Sequence, residues 1–460
     1  MIRNRLFGMA STVVLAAGLG ACDPGDLLEV KDPDVVQPGN FEDETALPAV
    51  HANAVGDFAV SYAGDPEDDA GQVLISGLVA DEFIHTGTFD TRESIDRRVL
   101  AETNPHIEST FRALHRARVS AERAADLFAE FAPDDEDHAE VLSLAGFTYV
   151  MFAENYCSGV SFSRIAEDGS LEFGEPETTS QVFQRAVARF DAALAAAIDA
   201  DSDEQQNLAR VGRGRALLGL GDYEGAAEAA ALVPTDFEYL MFHSESSPRQ
   251  NNGVWVFSND AGRWSIPDRE GVNGLPYRSD GDVDGAVRDP RVATQQIGLA
   301  QRTSLRSRGE HWGQLKYAER TSSTSLATGV EARLVQAEAA LRRGAGGLAE
   351  LVSLHNQARS EFGLTPVDEA EVDAMSQRER EDLHFRERAY GLWLTSHRLA
   401  DLRRMLWDYG RQQSEIFPTG THHRAGAAYG DHTSIPIPFD EENNPNSEGC
   451  MTRDDHQGRQ

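Results

Sequence analysis

Ala216-Leu217-Leu218-Gly219-Leu220-Gly221-Asp222-Tyr223 runs through Glu224 and Gly225 into Ala226-Ala227. This stretch decides the fold. The small and apolar residues up to Leu220 suit a tightly packed helix, Gly221-Asp222 makes a turn, and the alanines beyond it begin a second helix. The whole unit spans Asn207 to Val233, and Pro234 closes it. Small residues let two helices approach closely, and Tyr223 is expected to fill the groove between them.

The same design recurs outward from this point. Glu331 to Phe362 places Ala332, Leu334, Val335, Ala337 and Ala340 at helical spacing, then a Gly344–Gly347 turn, then another helix. Glu108–Phe131, Ala139–Tyr156 and Gln181–Ala200 are further amphipathic helices, and Phe41–Asp81 reads as two helices broken near Gly64-Asp65-Pro66. The acidic run Asp134–Asp137 falls where the helix dipole favours negative charge. The unit at 207–233 looks like half of a tetratricopeptide repeat. The expected fold is therefore mostly α: a degenerate tetratricopeptide-type scaffold over about 41–233 and 329–410, within one domain covering 41–460. A long irregular insertion occupies about 234–328, and an irregular segment follows from 411 to 460. Thr86–Arg98 reads as a loop, and Gly253-Val254-Trp255-Val256-Phe257 as a strand with Trp255 in the core.

Before this domain, Arg3 and Arg5 precede an uncharged apolar run, Leu6–Leu19, which is too short to span a bilayer. Leu19-Gly20-Ala21-Cys22 resembles a bacterial lipobox. The expectation is a signal peptide, 1–21, removed to leave lipid on Cys22 and a tether over 22–40. The chain carries a formal charge of −34. Removing Arg3 and Arg5 makes it −36, a surface that repels nucleic acid. Of the three cysteines, Cys157 and Cys450 remain after Cys22, an even pair in an oxidising compartment, and are predicted to form a disulfide.

No nucleophile elbow, phosphate loop, nucleotide fingerprint or zinc-binding histidine pair is present, and no enzyme activity or cofactor is expected. His422-His423 are adjacent, and on regular backbone their rings point apart. Asp280, Asp282 and Asp284 begin like a calcium loop, but Arg291 stands where the bidentate glutamate belongs, so they form at most a weak cation site. The ligand-binding candidates lie in the insertion: Arg263, Trp264, Tyr277 and Trp312, among Gly, Asn and Asp. Flat aromatic faces stack on sugar rings, and the polar neighbours bond hydroxyls. For Trp264 and Trp312, exposed stacking and burial stand equally open. His85, Phe89 and Arg92 form a second candidate wall.

Several segments, in order, resemble the SusD/RagB family of outer-membrane nutrient-binding lipoproteins. They are Leu27–Pro33, Phe152–Val160, Val330–Ala339, Arg386–Arg404 and the closing Ile435-Pro436-Ile437-Pro438 with Asn444-Pro445-Asn446. The strongest is Arg386–Arg404, where Gly391, Thr395 and Ser396 depart from the family pattern. Glu387, Arg388, Arg398 and Asp401 in it are spaced for ion pairs, which assigns the segment to scaffold. The resemblance implies a lipid-anchored protein on the outer-membrane surface. It would capture oligosaccharide or peptide fragments and pass them, as a lid, to a SusC-like TonB-dependent transporter. The alternatives are a helical-repeat scaffold that organises envelope proteins and, third, a surface-attached hydrolase.

Overall fold

The computed structural model describes residues 44–65, 71–166, 170–299, 310–424 and 426–451. The signal peptide, Cys22, the tether and the Leu27–Pro33 segment lie outside them. Of an N-terminal unit ending at Ala46, only the tight helical turn Glu44–Ala46 is described. All that follows concerns the unit from Leu47 onward.

Twelve helices are labelled here: α1 (Leu47–Ala63), α2 (Gln72–Val79), α3 (Asp90–Asp96), α4 (Pro105–Phe131), α5 (Glu136–Asn155), α6 (Thr179–Asp199), α7 (Asp203–Leu220), α8 (Tyr223–Ala230), α9 (Gly329–Arg342), α10 (Leu348–Ser360), α11 (Gln377–Gly391) and α12 (Arg398–Asp408). Their ends follow from caps. Asn104 accepts from the His106 N–H and Pro105 fills the first helical position, so α4 starts three residues before the expected Glu108. Asp135 caps α5, which gives the acidic run its local role. Thr178 and Gln181 form a reciprocal capping box on α6. Gly221 ends α7 at φ +77°, a conformation that a side chain resists. Each such cap is worth about 1 kcal/mol.

From α4 to α8 each helix packs on the next, and α9 continues the series across the insertion onto α8 before pairing with α10. This is the stacked-pair arrangement of a tetratricopeptide-type solenoid. Small residues set the spacing. The Phe190 ring sits in a notch left by Gly146 and Gly212, where an added Cβ would come within 2.8 and 2.2 Å of it. Tyr223 behaves differently from expectation. It is half-buried, its hydroxyl donates to Asp408 at 2.5 Å, and the Arg342 guanidinium covers its ring at 4.9 Å. It therefore ties α8 to α9 and α12 rather than filling the α7–α8 groove.

The Arg386–Arg404 segment is scaffold. The Arg388 guanidinium joins α11 to α12 through Asp401, and Arg404 bonds both Asp401 and Glu338 of α9. Arg398 reaches Asp81, and Glu387 accepts from Arg291 and Arg359. Nearly all these groups are fully buried, so each depends on its partner being present. The turn joining α11 to α12 holds Leu394 and Ser396 at positive φ, 56° and 61°. Glu82 accepts from the Leu394 N–H, and the Ser396 carbonyl accepts from Arg215. These buried bonds hold a backbone that L-residues otherwise avoid.

The insertion enters through Glu238–Met241 and leaves through Thr324–Thr328, which pair antiparallel, with Glu238 opposite Thr328. Inside it, Thr294–Leu299 pairs with Glu310–Gln314, and Trp264–Ser265 pairs with Ile84–His85 from outside the insertion. Two local readings are corrected. Gly253–Asp260 is not a strand: Gly253–Trp255 is a helical turn running into a wide π-turn over Val256–Asp260. The Asn252 side chain caps it by accepting from the Trp255 N–H. Trp255 itself is half-buried beneath the Arg320 guanidinium, not in the core. Thr86–Arg98 is not all loop, since α3 occupies Asp90–Asp96.

Beyond Arg411 the described residues form only the short helices Gln413–Ile416 and Phe439–Asn443. A disulfide between Cys157 and Cys450 fastens its end beside α5, as the cysteine count predicts. Among the described residues no helix is long and apolar enough to cross a membrane.

Candidate functional site

The pairing of Ile84–His85 with Trp264–Ser265 brings the two predicted walls together, with His85 directly opposite Trp264. The Thr86 N–H donates to the Arg263 carbonyl at 2.8 Å. The Arg424 guanidinium, from the C-terminal segment, donates to the carbonyls of both His85 and Gly87. Thr86 Oγ1 lies 3.0 Å from His311 Nδ1. Three separate parts of the chain thus hold the 85–89 loop in one shape.

On that loop Phe89 stands out, 47% exposed in an otherwise packed region. The Arg92 guanidinium lies 4.5 Å from the Phe89 ring centroid and 5.7 Å from that of Phe257, and Arg263 lies over Phe257 at 5.8 Å. The edge of His106 meets Phe89 at 6.1 Å. The result is a layered stack of alternating rings and guanidinium groups, with Phe89 outermost. Burial, helped by the Arg263 charge, pushes Arg92 down to about 10. Burial, helped by Arg92, lowers His106 to about 4, so its ring is neutral at pH 7. Chemically, this is an aromatic platform stiffened from behind by cations. It offers the flat apolar face of Phe89 beside the partly exposed Arg263, but no nucleophile.

The other predicted residues fall elsewhere. Trp264 is 3% exposed and meets Phe83 edge-to-face at 5.9 Å. Trp312 is 8% exposed, lies beneath the Arg278 guanidinium and donates to Glu310. Tyr277 is buried and stacks on Trp393. Burial decides the question left open for Trp264 and Trp312, and Tyr277 likewise packs inside instead of facing a ligand: the insertion is thick enough to bury its own aromatics. His85 is also buried, and it contributes through its backbone and its position under Gly87. Asp280, Asp282 and Asp284 do not converge. Asp280 is buried and accepts from Arg386 and Tyr390, while Asp282 and Asp284 engage the Asp284 N–H and Gln295. The cation-loop reading is corrected accordingly.

Sequence reasoning missed Phe257 and His106 as members of the stack, and Arg424 as a brace on its loop. Phe257 was hidden in an apolar run read as strand, and Arg424 lies more than 330 positions from the loop it holds.

A separate cleft of about 240 Å³ opens where the insertion's neck meets α9 and the α11–α12 turn. Its polar lining is internally committed: Lys316 donates to the Trp393 carbonyl, Ser325 donates to Glu238, and His397 pairs with Glu331. Burial lowers the Lys316 ammonium to about 8. At that size the cleft is smaller than the usual range for enclosed ligands.

No protein-family model matches the chain, and no curated protein is similar to it in sequence. Solved structures are similar in fold. A SusD superfamily protein from Bacteroides thetaiotaomicron superposes at a TM-score of 0.65 with 14% identity, over 88% of this chain and 100% of that one. This chain has the SusD fold. A laminarin-binding SusD-like protein matches at 0.62 with 16% identity, over 89% and 99%. A SusD-like carbohydrate-binding protein from Bacteroides vulgatus matches at 0.56 with 13% identity, over 77% and 83%.

Proposed function

We propose that this protein is a non-catalytic glycan-binding member of the SusD superfamily, anchored to the outer membrane through lipid on Cys22. It captures an oligosaccharide on the Phe89 platform and delivers it, as a lid, to a SusC-like TonB-dependent transporter. The observation that carries this reading is the SusD fold over nearly the full length of its structural neighbours, two of which bear carbohydrate-binding names. The ordered motifs from Phe152 to Asn446 support it, as does an exposed aromatic on a loop braced from three sides. An open platform also suits a chain-like ligand, which a 240 Å³ cleft cannot enclose.

Screening the protein against arrays of β-glucans, other polysaccharide fragments and peptides tests the binding claim. The expected result is a glycan hit weakened by Phe89→Ala and by Arg263→Ala. Binding to no glycan, or binding indifferent to both substitutions, overturns the assignment of the platform. Co-purification of a large outer-membrane barrel from the native host tests the delivery step.

A further inference from the structure

Asp96, at the end of α3, lies directly behind the platform. It is fully buried, and two adjacent histidines from the C-terminal segment converge on it. Asp96 Oδ2 is 3.1 Å from His422 Nε2 and 3.8 Å from His423 Nε2. The rings of His422 and His423 are only 4.1 Å apart. Adjacent residues point apart only on regular backbone. Here the chain turns at His423-Arg424, and both rings swing to one side. One ligand atom from each of the three residues lies within 4.8 Å of the other two. Around a zinc-sized ion, with bonds of about 2.0–2.1 Å, ligand atoms sit roughly 3.3 Å apart. The cluster is therefore within a small adjustment of a coordination shell.

Two further observations point to something held there. The Glu270 carboxyl faces Asp96 at hydrogen-bonding range and accepts from the Tyr429 hydroxyl at 3.1 Å. Yet Asp96 Oδ1 and Glu270 Oε2 are both buried without a donor among the described residues. The buried Arg98 acts on Glu270 through its charge but directs Nε and Nη1 to the carbonyls of His432 and Pro418. Two buried carboxyls facing each other are costly unless a proton or a cation sits between them. Asp96 also carries the outer support that ligands in metal sites usually have, since its Oδ2 accepts from the His85 N–H at 2.8 Å. The His423 side chain is 29% exposed, which gives an ion a way in.

The second carboxylate–histidine group of the fold, His51 with Asp137 and Glu140, lacks this feature. Both Glu140 oxygens are already engaged, by the Tyr239 hydroxyl and by His51.

We infer that Asp96, His422 and His423, with Glu270 adjoining, form a binding site for a divalent transition-metal ion of the zinc class. Two imidazoles with carboxylates favour such an ion over calcium or magnesium. The ion bridges α3 to the C-terminal segment and so braces the loop that carries Phe89. The site stands or falls independently of which glycan, if any, the platform binds.

The test is equilibrium dialysis of the EDTA-stripped protein against zinc chloride, with bound metal counted by mass spectrometry. One zinc per chain is expected. Cobalt(II) in its place is expected to give visible absorption of a four- or five-coordinate centre. His423→Ala, at a partly exposed position, is expected to keep the far-ultraviolet dichroism of the parent and to lower zinc affinity by more than about 100-fold, beyond the usual cost of losing a supporting partner. His51→Ala is expected to leave the affinity unchanged. The inference is overturned by less than stoichiometric zinc, by zinc binding that survives His423→Ala, or by binding that is lost with His51→Ala.

Discussion

The α9–α11–α12 junction and the platform side of the molecule solve the same problem, placing arginines indoors, in opposite ways. At the junction two buried guanidiniums face buried carboxylates: Arg388 and Arg404 share Asp401, and Glu338 takes Arg404. Around the platform, arginines lie against rings and carbonyls instead. Arg92 rests between Phe89 and Phe257, and Arg424 bonds backbone oxygens. Paired charges fix a rigid joint, because removing either partner strands the other. A guanidinium on a ring is held by the ring's face rather than by a countercharge. The difference teaches where stability resides and where binding is free to vary.

The comparison can be broken hardest at the junction. Glu338→Ala leaves Arg404 only Asp401 and removes an acceptor from Tyr409 and His384, so a loss of about 3–5 kcal/mol is expected in urea unfolding. The matched change on the other side, Phe89→Ala, is expected to leave the urea midpoint within about 0.5 kcal/mol of the parent. Next in size is the disulfide. Cys450→Ser is expected to cost about 2–4 kcal/mol and to abolish the parent's sensitivity to reductant in thermal melts. On binding the order reverses: Phe89→Ala is expected to weaken glycan affinity about 5–10-fold by calorimetry, whereas Cys450→Ser leaves it near the parent value. The smallest effect concerns pH. His106 is lowered to about 4 in the folded chain from an ordinary value near 6.5. The unfolded chain thus takes up a proton first, so this contribution is intact above pH 6.5 and is lost as pH falls toward 4. Because the ring is partly exposed, below about 1 kcal/mol is expected. His106→Gln should flatten the fall in stability between pH 6.5 and 4.5.

The helices were legible because their apolar residues repeat every three to four positions and their caps are polar residues of the right type. Phe111, Leu114, Ala121 and Phe128 of α4 line one buried face as their spacing requires. The ion pairs of Arg386–Arg404 were legible as a set, though not their partners Glu338 and Asp81, which come from helices distant in sequence. Where the reading failed, tertiary context had overruled local pattern. Val254, Val256 and Phe257 are as apolar as a strand, yet Asn252 starts a helical turn there. Trp264, Tyr277 and Trp312 lie among polar loop residues, yet they pack inward. Asp96 and His423 are 327 positions apart, and no spacing rule joins them.

The neck of the insertion has one more consequence. Because Glu238 and Thr328 face each other across a strand pair, the helical core presents the same two neighbouring attachment points whatever runs between them. Closing a longer loop there adds only about 0.6 kcal/mol for each doubling of its length. The outer turns of the segment can therefore change length cheaply, while Arg291 on Glu387 and Tyr277 on Trp393 stitch its middle to the helical core and must be kept by anyone who redesigns it.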